Sequence, residues 1–186
     1  MSGGHGHVDG SNKKIALLVA VLAALLAISE MGGKSSQTNA LSSHIDASNL
    51  WTFFQAKTIR QTTLRTAAEE AEATFKDSPQ GIPPALKDQA ERWRQTAQRY
   101  ETEPDTGEGR RELMARAKAK EHIRGKSLAA YHMFEYASAA YQLAIVLAGA
   151  AALTAVGWLT FLSLGLGSIG FVLTLLAFIE PTLVHL

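Results

Sequence analysis

The chain has 186 residues, 47% of them hydrophobic, with 18 basic and 17 acidic side chains and a formal net charge of +1. That length suits one domain of ordinary size, and so small a net charge supplies no global field to attract nucleic acid. With no cysteine present, structural disulfides, thiolate zinc sites and cysteine nucleophiles are excluded.

The apolar residues are concentrated at the two ends. Residues 1–14 open with the glycine-rich MSGGHGHVDG and read as a flexible tail. His5 and His7 in it are too few ligands for a closed metal site. Residues 15–28, IALLVAVLAALLAI, follow Lys13 and Lys14 and end near Ala27-Ile28-Ser29, a layout shared with signal peptides. An uncleaved anchor is preferred. Extended through Ser29, Glu30, Met31, Gly32 and Gly33 it becomes a 19-residue first span over 15–33, within the roughly 17–25 residues a spanning helix needs.

Residues 34–136 carry most of the charge and read as a soluble, all-helical segment in three pieces, 34–76, 84–103 and 110–136. The pieces are separated by the proline-rich Asp77–Pro84 and by Glu103–Gly109. From about residue 35 to 76 there is neither proline nor glycine. Two stripes run along that piece. Leu41, Ile45, Ser48, Thr52, Gln55, Ile59, Thr62 and Thr66 keep the 3–4 spacing of a heptad seam, and Leu50, Phe54, Leu64, Ala68 and Phe75 form the other. The Thr/Gln stripe (Thr52, Gln55, Thr62, Thr66) is either a solvated face or a polar seam between subunits around an axis. Trp51, Phe53 and Phe54 are expected to pack on the 84–103 helix, against Trp93 and Tyr100, or else to lie at a membrane surface. In 84–103, Leu86, Ala90, Trp93, Ala97 and Tyr100 line one face of an amphipathic helix beginning at Pro84.

The third piece is basic. Arg116, Lys118, Lys120, Arg124 and Lys126 precede the next apolar run and suit anionic lipid head groups. The excess of positive residues in cytoplasmic loops then puts this segment in the cytoplasm, against the opposing vote of Lys13 and Lys14.

Residues 137–179 form 43 residues without a charge. As one helix they would run about 64 Å at a rise of 1.5 Å per residue, twice the roughly 30 Å of a hydrocarbon core. Two spans are therefore expected, 137–158 and 162–180, with the break near Gly157–Gly165 and a short tail over 181–186. Ala140, Ala144 and Ala148 recur every four residues, the spacing that lets helix backbones approach closely in lipid. Gly165, Gly167 and Gly170 spell GxGxxG, but apolar flanks replace the strand and acidic residue of a dinucleotide site. Close helix packing is the expected role.

The run Asn49–Thr62, NLWTFFQAKTIRQT, together with the Lys pair, the short first span, Lys34–Thr38 and the terminal span pair, resembles domain-of-unknown-function family 4337. The resemblance covers nearly the whole chain. It implies a bacterial cytoplasmic-membrane protein and carries no activity.

Ionisable groups in or beside a span are functional candidates by default. These are Glu30 and Glu180 at span ends, and His132 and Glu135 among Tyr131, Tyr136, Tyr141 and Gln142 where the second span begins. The expected protein is an all-α membrane protein with three transmembrane helices and no enzymatic activity, cofactor or nucleic-acid partner. It is expected to serve as a structural or scaffolding homo-oligomer or an accessory subunit of a membrane complex. The alternative is an oligomeric channel or small-solute pore lined by the Thr/Gln stripe, with Glu30 at its mouth.

Overall fold

The computed structural model describes residues 10–183, with side chains from residue 13 onward. The predicted tail residues 1–9, with His5 and His7, and residues 184–186 lie outside the described part. The described residues form four α-helices and no strand: α1 (Gly10–Thr74), α2 (Pro84–Glu101), α3 (Arg110–Thr154) and α4 (Trp158–Ile179).

The 65-residue α1 carries both the first apolar run and the polar stripes. It begins at Gly10, so residues 10–14 are helix where a flexible tail was expected. The helix ends at Thr74, where 3₁₀-like bonds Phe75 N→Glu72 O and Lys76 N→Ala73 O tighten the chain ahead of Pro79. Gly81 at φ 66° in the α1–α2 loop and Gly107 at φ 67° in the α2–α3 loop lie in the left-handed region, which favours glycine. Pro84 opens α2 at its first turn, where a missing N–H costs nothing, and the Pro83 carbonyl accepts from Leu86 and Lys87.

The α3–α4 break is shorter than expected. Residues 155–157 make it, and Trp158–Gly165 already belongs to α4. Polar side chains in α4 are accommodated because helix carbonyls accept their protons: Ser163, inside GWLTFLSLG, donates to Ala144 O at 2.8 Å, and Ser168, just beyond it, donates to Leu164 O at 2.9 Å. Ala155 takes the sharp turn at φ 55°, without the glycine that usually fills such a helix-ending position.

The chain divides into two units, and both draw on α1 and α3. In the first, made of residues up to 41 and from 124 onward, α1, α3 and α4 pack around Leu22, Ala137, Tyr141 and Ala144. Smaller clusters form at Ala130, Met133, Phe134 and Ala177, and at Ile15, Ala148 and Ala151. Polar side chains tie the helices across this packing. Ser29 donates to Phe134 O at 3.0 Å, and the Tyr141 and Thr174 hydroxyls lie 3.2 Å apart. Alanines fill much of this interior around Leu22, Met133, Phe134 and Tyr141, while many large apolar side chains face outward, with Leu153 89%, Phe161 76% and Ile179 72% exposed. Three helices, α1, α3 and α4, are long and apolar enough to cross a membrane.

In the second unit, residues 42–123, α1, α2 and the start of α3 bury Ala47, Ala68, Ala90, Ala97, Leu113 and Ala117. Of the two stripes on α1, the one built on Leu50, Phe54, Leu64 and Ala68 faces this core, with Ala47, Lys57 and Gln61 completing its 3–4 spacing.

Candidate functional site

The second unit holds a polar clamp that the sequence did not reveal. Lys57 is 5% and Gln61 6% exposed, both on the core stripe of α1. The Lys57 ammonium donates to Glu103 at 2.9 Å and lies over the Phe53 and Tyr100 rings at 5.3 and 5.6 Å. The Gln61 amide donates to Ala97 O and to Glu101, both at 3.1 Å, and its oxygen accepts from Arg110 at 2.6 Å. Arg110 reaches Glu101 at 2.6 Å and Thr58 at 2.8 Å, and stacks on Phe54 at 5.0 Å.

Every charge is matched, which burial requires. Gln61, backed by Arg111 and Arg110, outweighs desolvation and holds the Glu101 carboxyl below the usual carboxylate range. Lys57, with Arg99, does the same for Glu103. A cleft of about 620 Å³ opens beside the clamp. Its Arg94 and Arg110 are already paired, with Glu72 and Glu101, so the cleft is mainly the outer edge of a structural network. A sequence signal existed: Lys57 and Gln61 sit in register with Leu50, Phe54, Leu64 and Ala68.

The aromatic run was expected on α2, but its Trp51 is tied to α3. Trp51 Nε1 donates to Glu121 of α3 at 2.9 Å and meets Phe54 edge to face at 5.4 Å. The indole N–H needs an acceptor when half-buried, and α3 supplies a carboxylate. Toward α2, the Lys57 ammonium lies over both the Phe53 ring and the Tyr100 ring.

Thr52, Gln55, Thr62 and Thr66 are all exposed, on the face of α1 opposite its core stripe. Ile45, Ser48 and Ile59 continue the same face and are exposed too. Thr52 donates to the Ser48 carbonyl at 2.9 Å, so its hydroxyl proton is satisfied within the helix. Among the basic candidates, Lys120 is held by Asp46 at 2.8 Å and Arg116 donates to the Gly107 carbonyl at 3.2 Å, while Lys118 and Lys126 are exposed. Arg124 is also exposed.

In the first unit, Glu30 and Glu135 line one groove of about 510 Å³ between α1 and α3, with Lys34, Tyr131, Ser138 and Gln142. Tyr131 donates to Glu135 at 2.5 Å, and the His132 ring nitrogen lies 3.4 Å from its other oxygen. Glu180 sits apart at the end of α4, where its backbone N–H caps Leu176 O and its carboxylate accepts from Thr182. Ala144 and Ala148 are fully buried and Ala140 nearly so.

The three glycines divide. A methyl group on Gly170 would lie 2.9 Å from the Tyr141 ring, and one on Gly167 would lie 2.6 Å from the Leu22 side chain. Gly167 therefore packs on α1, not on α3. Gly165 is exposed, with nothing near enough for a packing role. The helical phase explains it, since two and five residues carry Gly167 and Gly170 round to the inner face.

A family model described as Domain of unknown function (DUF4337) matches residues 11–180. Neither a curated protein nor a solved structure matches the chain.

Proposed function

Because the chain belongs to the domain-of-unknown-function family DUF4337, matched over residues 11–180, which assigns no activity, we propose its role from its own surfaces. It is a bacterial inner-membrane protein that crosses the bilayer three times. It works without catalysis, as a structural scaffold that self-assembles or docks as an accessory subunit onto a larger membrane complex.

The large apolar side chains on the outside of the first unit support the membrane reading. Leu153, Phe161 and Ile179 face outward while Ala137, Ala144 and Ala148 fill the interior. In water such apolar surface is rarely left open, whereas lipid covers it and leaves close backbone packing to the small residues. The excess of Lys and Arg before the second span favours a cytoplasmic second unit with anionic lipid nearby.

The observation that carries the assembly reading is the second heptad seam of α1. Seven positions from Ile45 to Thr66 keep strict 4–3 spacing, all are exposed, and none is charged. A repeat of 3.5 residues suits a partner helix wound along it. A two-faced helix, one face packed in its own unit and the other open, suits a second copy.

The chain has no cysteine of its own, so single cysteines report cleanly. Oxidative cross-linking in native membranes should trap dimers from Thr52→Cys, Gln55→Cys and Thr62→Cys and far less from Arg60→Cys. Equal trapping at all four positions would refute the seam. A single copy in native mass spectrometry, arriving with other proteins, would leave the accessory-subunit form. The same polar stripe also favours a pore reading, in which leucine replacements at Thr52 and Gln55 would leave the assembly intact but change conductance across a planar bilayer.

A further inference from the structure

We propose that the groove between α1 and α3 at Glu30 and Glu135 binds a phospholipid whose head group ends in a primary ammonium. The inference rests on the membrane reading above and goes beyond it, since it names a ligand that neither self-assembly nor docking requires.

Two polar ladders face the groove. Glu30, Lys34 and Gln37 follow one another at helical spacing on α1, and Tyr131, Glu135, Ser138 and Gln142 do so on α3. Each ladder starts in an apolar run and climbs out of it. That depth is where head groups meet acyl chains, and polar side chains there are costly unless something uses them. Below Gln142 the same face of α3 continues with Val146, exposed, and Gly149, whose missing side chain leaves open space. An acyl chain can follow that face.

Charge selects the head group. Two carboxylates, Glu30 and Glu135, outnumber one ammonium, Lys34. An anionic head group would meet net repulsion, so this site differs from the basic run at Arg116–Lys126. A zwitterionic head group matches both signs, its ammonium on the carboxylates and its phosphate on Lys34. Carboxylates accept charge-assisted hydrogen bonds from N–H donors, and a quaternary ammonium has none to give. The Glu135 carboxylate is already oriented by the Tyr131 hydroxyl and flanked by the His132 ring. The side chains of Glu30 and Lys34 have no ion-pair partner among the described residues.

The test is native mass spectrometry of the full chain in detergent, titrated separately with phosphatidylethanolamine, phosphatidylcholine and phosphatidylglycerol of identical acyl chains. Phosphatidylethanolamine should be retained about tenfold better than either rival, as expected for a charge-assisted bond gained or lost. Glu30→Gln and Glu135→Gln, near-isosteric and at exposed positions, should each erase most of that preference. Lys34→Gln should weaken phosphatidylethanolamine and phosphatidylcholine alike. Equal retention of all three lipids, a preference for phosphatidylglycerol, or Gln variants that bind like the parent would overturn the site. Release of the chain from membranes by carbonate, without detergent, would sink the membrane reading itself.

Discussion

Replacing Gln61 with leucine tests the polar clamp most directly. Leucine fills nearly the same space, so the change removes hydrogen bonds and little packing. Three bonds go: the amide to Ala97 O at 3.1 Å, the amide to Glu101 at 3.1 Å, and the acceptor of Arg110 at 2.6 Å. A neutral bond contributes about 1 kcal/mol net and one to a charged group about 1.5–3 kcal/mol. Arg110 and Glu101 keep each other at 2.6 Å and are partly open to water, which recovers much of the loss. The expected cost is therefore about 2 kcal/mol, well under the simple sum.

The same variant should change the response to acid. The Glu101 and Glu103 carboxyls are both depressed in the folded state. Their contribution is thus fully present above the unfolded carboxylate pKa, about 4.3, and is lost as pH falls through the folded value. Gln61 is the largest cause for Glu101, so Gln61→Leu should flatten the fall in stability below pH 5. Urea unfolding in detergent, followed by Trp51 and Trp93 fluorescence in a Trp158→Phe background, reads the second unit alone. A cost under about 0.5 kcal/mol, below the net worth of a single such bond, or an unchanged acid slope would show that Gln61 is a bystander.

Leu113 is fully buried, and it is the one large side chain among the buried apolar residues described in its unit, the others being alanines. Leu113→Ala should cost about 3–5 kcal/mol by the same fluorescence assay, toward the upper end for such truncations. Gly170→Ala should cost about 1–3 kcal/mol because the buried Tyr141 ring cannot move aside. Gly167→Ala meets only the far end of the Leu22 side chain and should cost less, as a comparison of melting temperatures in detergent would show. Gly125→Ala on α3 meets nothing within 4 Å and should stabilise by up to about 1 kcal/mol through helix propensity. Ala155→Gly should raise the melting temperature slightly by relieving the left-handed turn at φ 55°.

Much of the helix inventory was legible in the sequence because composition dictates it. The prolines from Pro79 to Pro84 and the glycines around Glu108 force loops, and 43 uncharged residues exceed the length of one span. The candidate polar groups were legible one by one, since an ionisable residue next to an apolar run is visible by eye. The partners were not. Two stripes on α1 carried the same 3–4 spacing, and nothing local says which is buried; only packing against α2 and α3 put Leu50, Phe54 and Ala68 inside and left Thr52, Gln55 and Thr62 outside. The roles of Lys57 and Gln61 were not legible because their partners, Glu103 and Arg110, lie 46 and 49 positions away. Trp51 took α3 over α2 because an indole N–H needs an acceptor and Glu121 offers one. Glu30 and Glu135, more than a hundred residues apart, came to one groove only when α1 lay along α3. Periodicity and hydropathy are properties of a single strand of sequence and fix the helices. The choice of faces belongs to contacts between distant segments, and only the tertiary structure decides it.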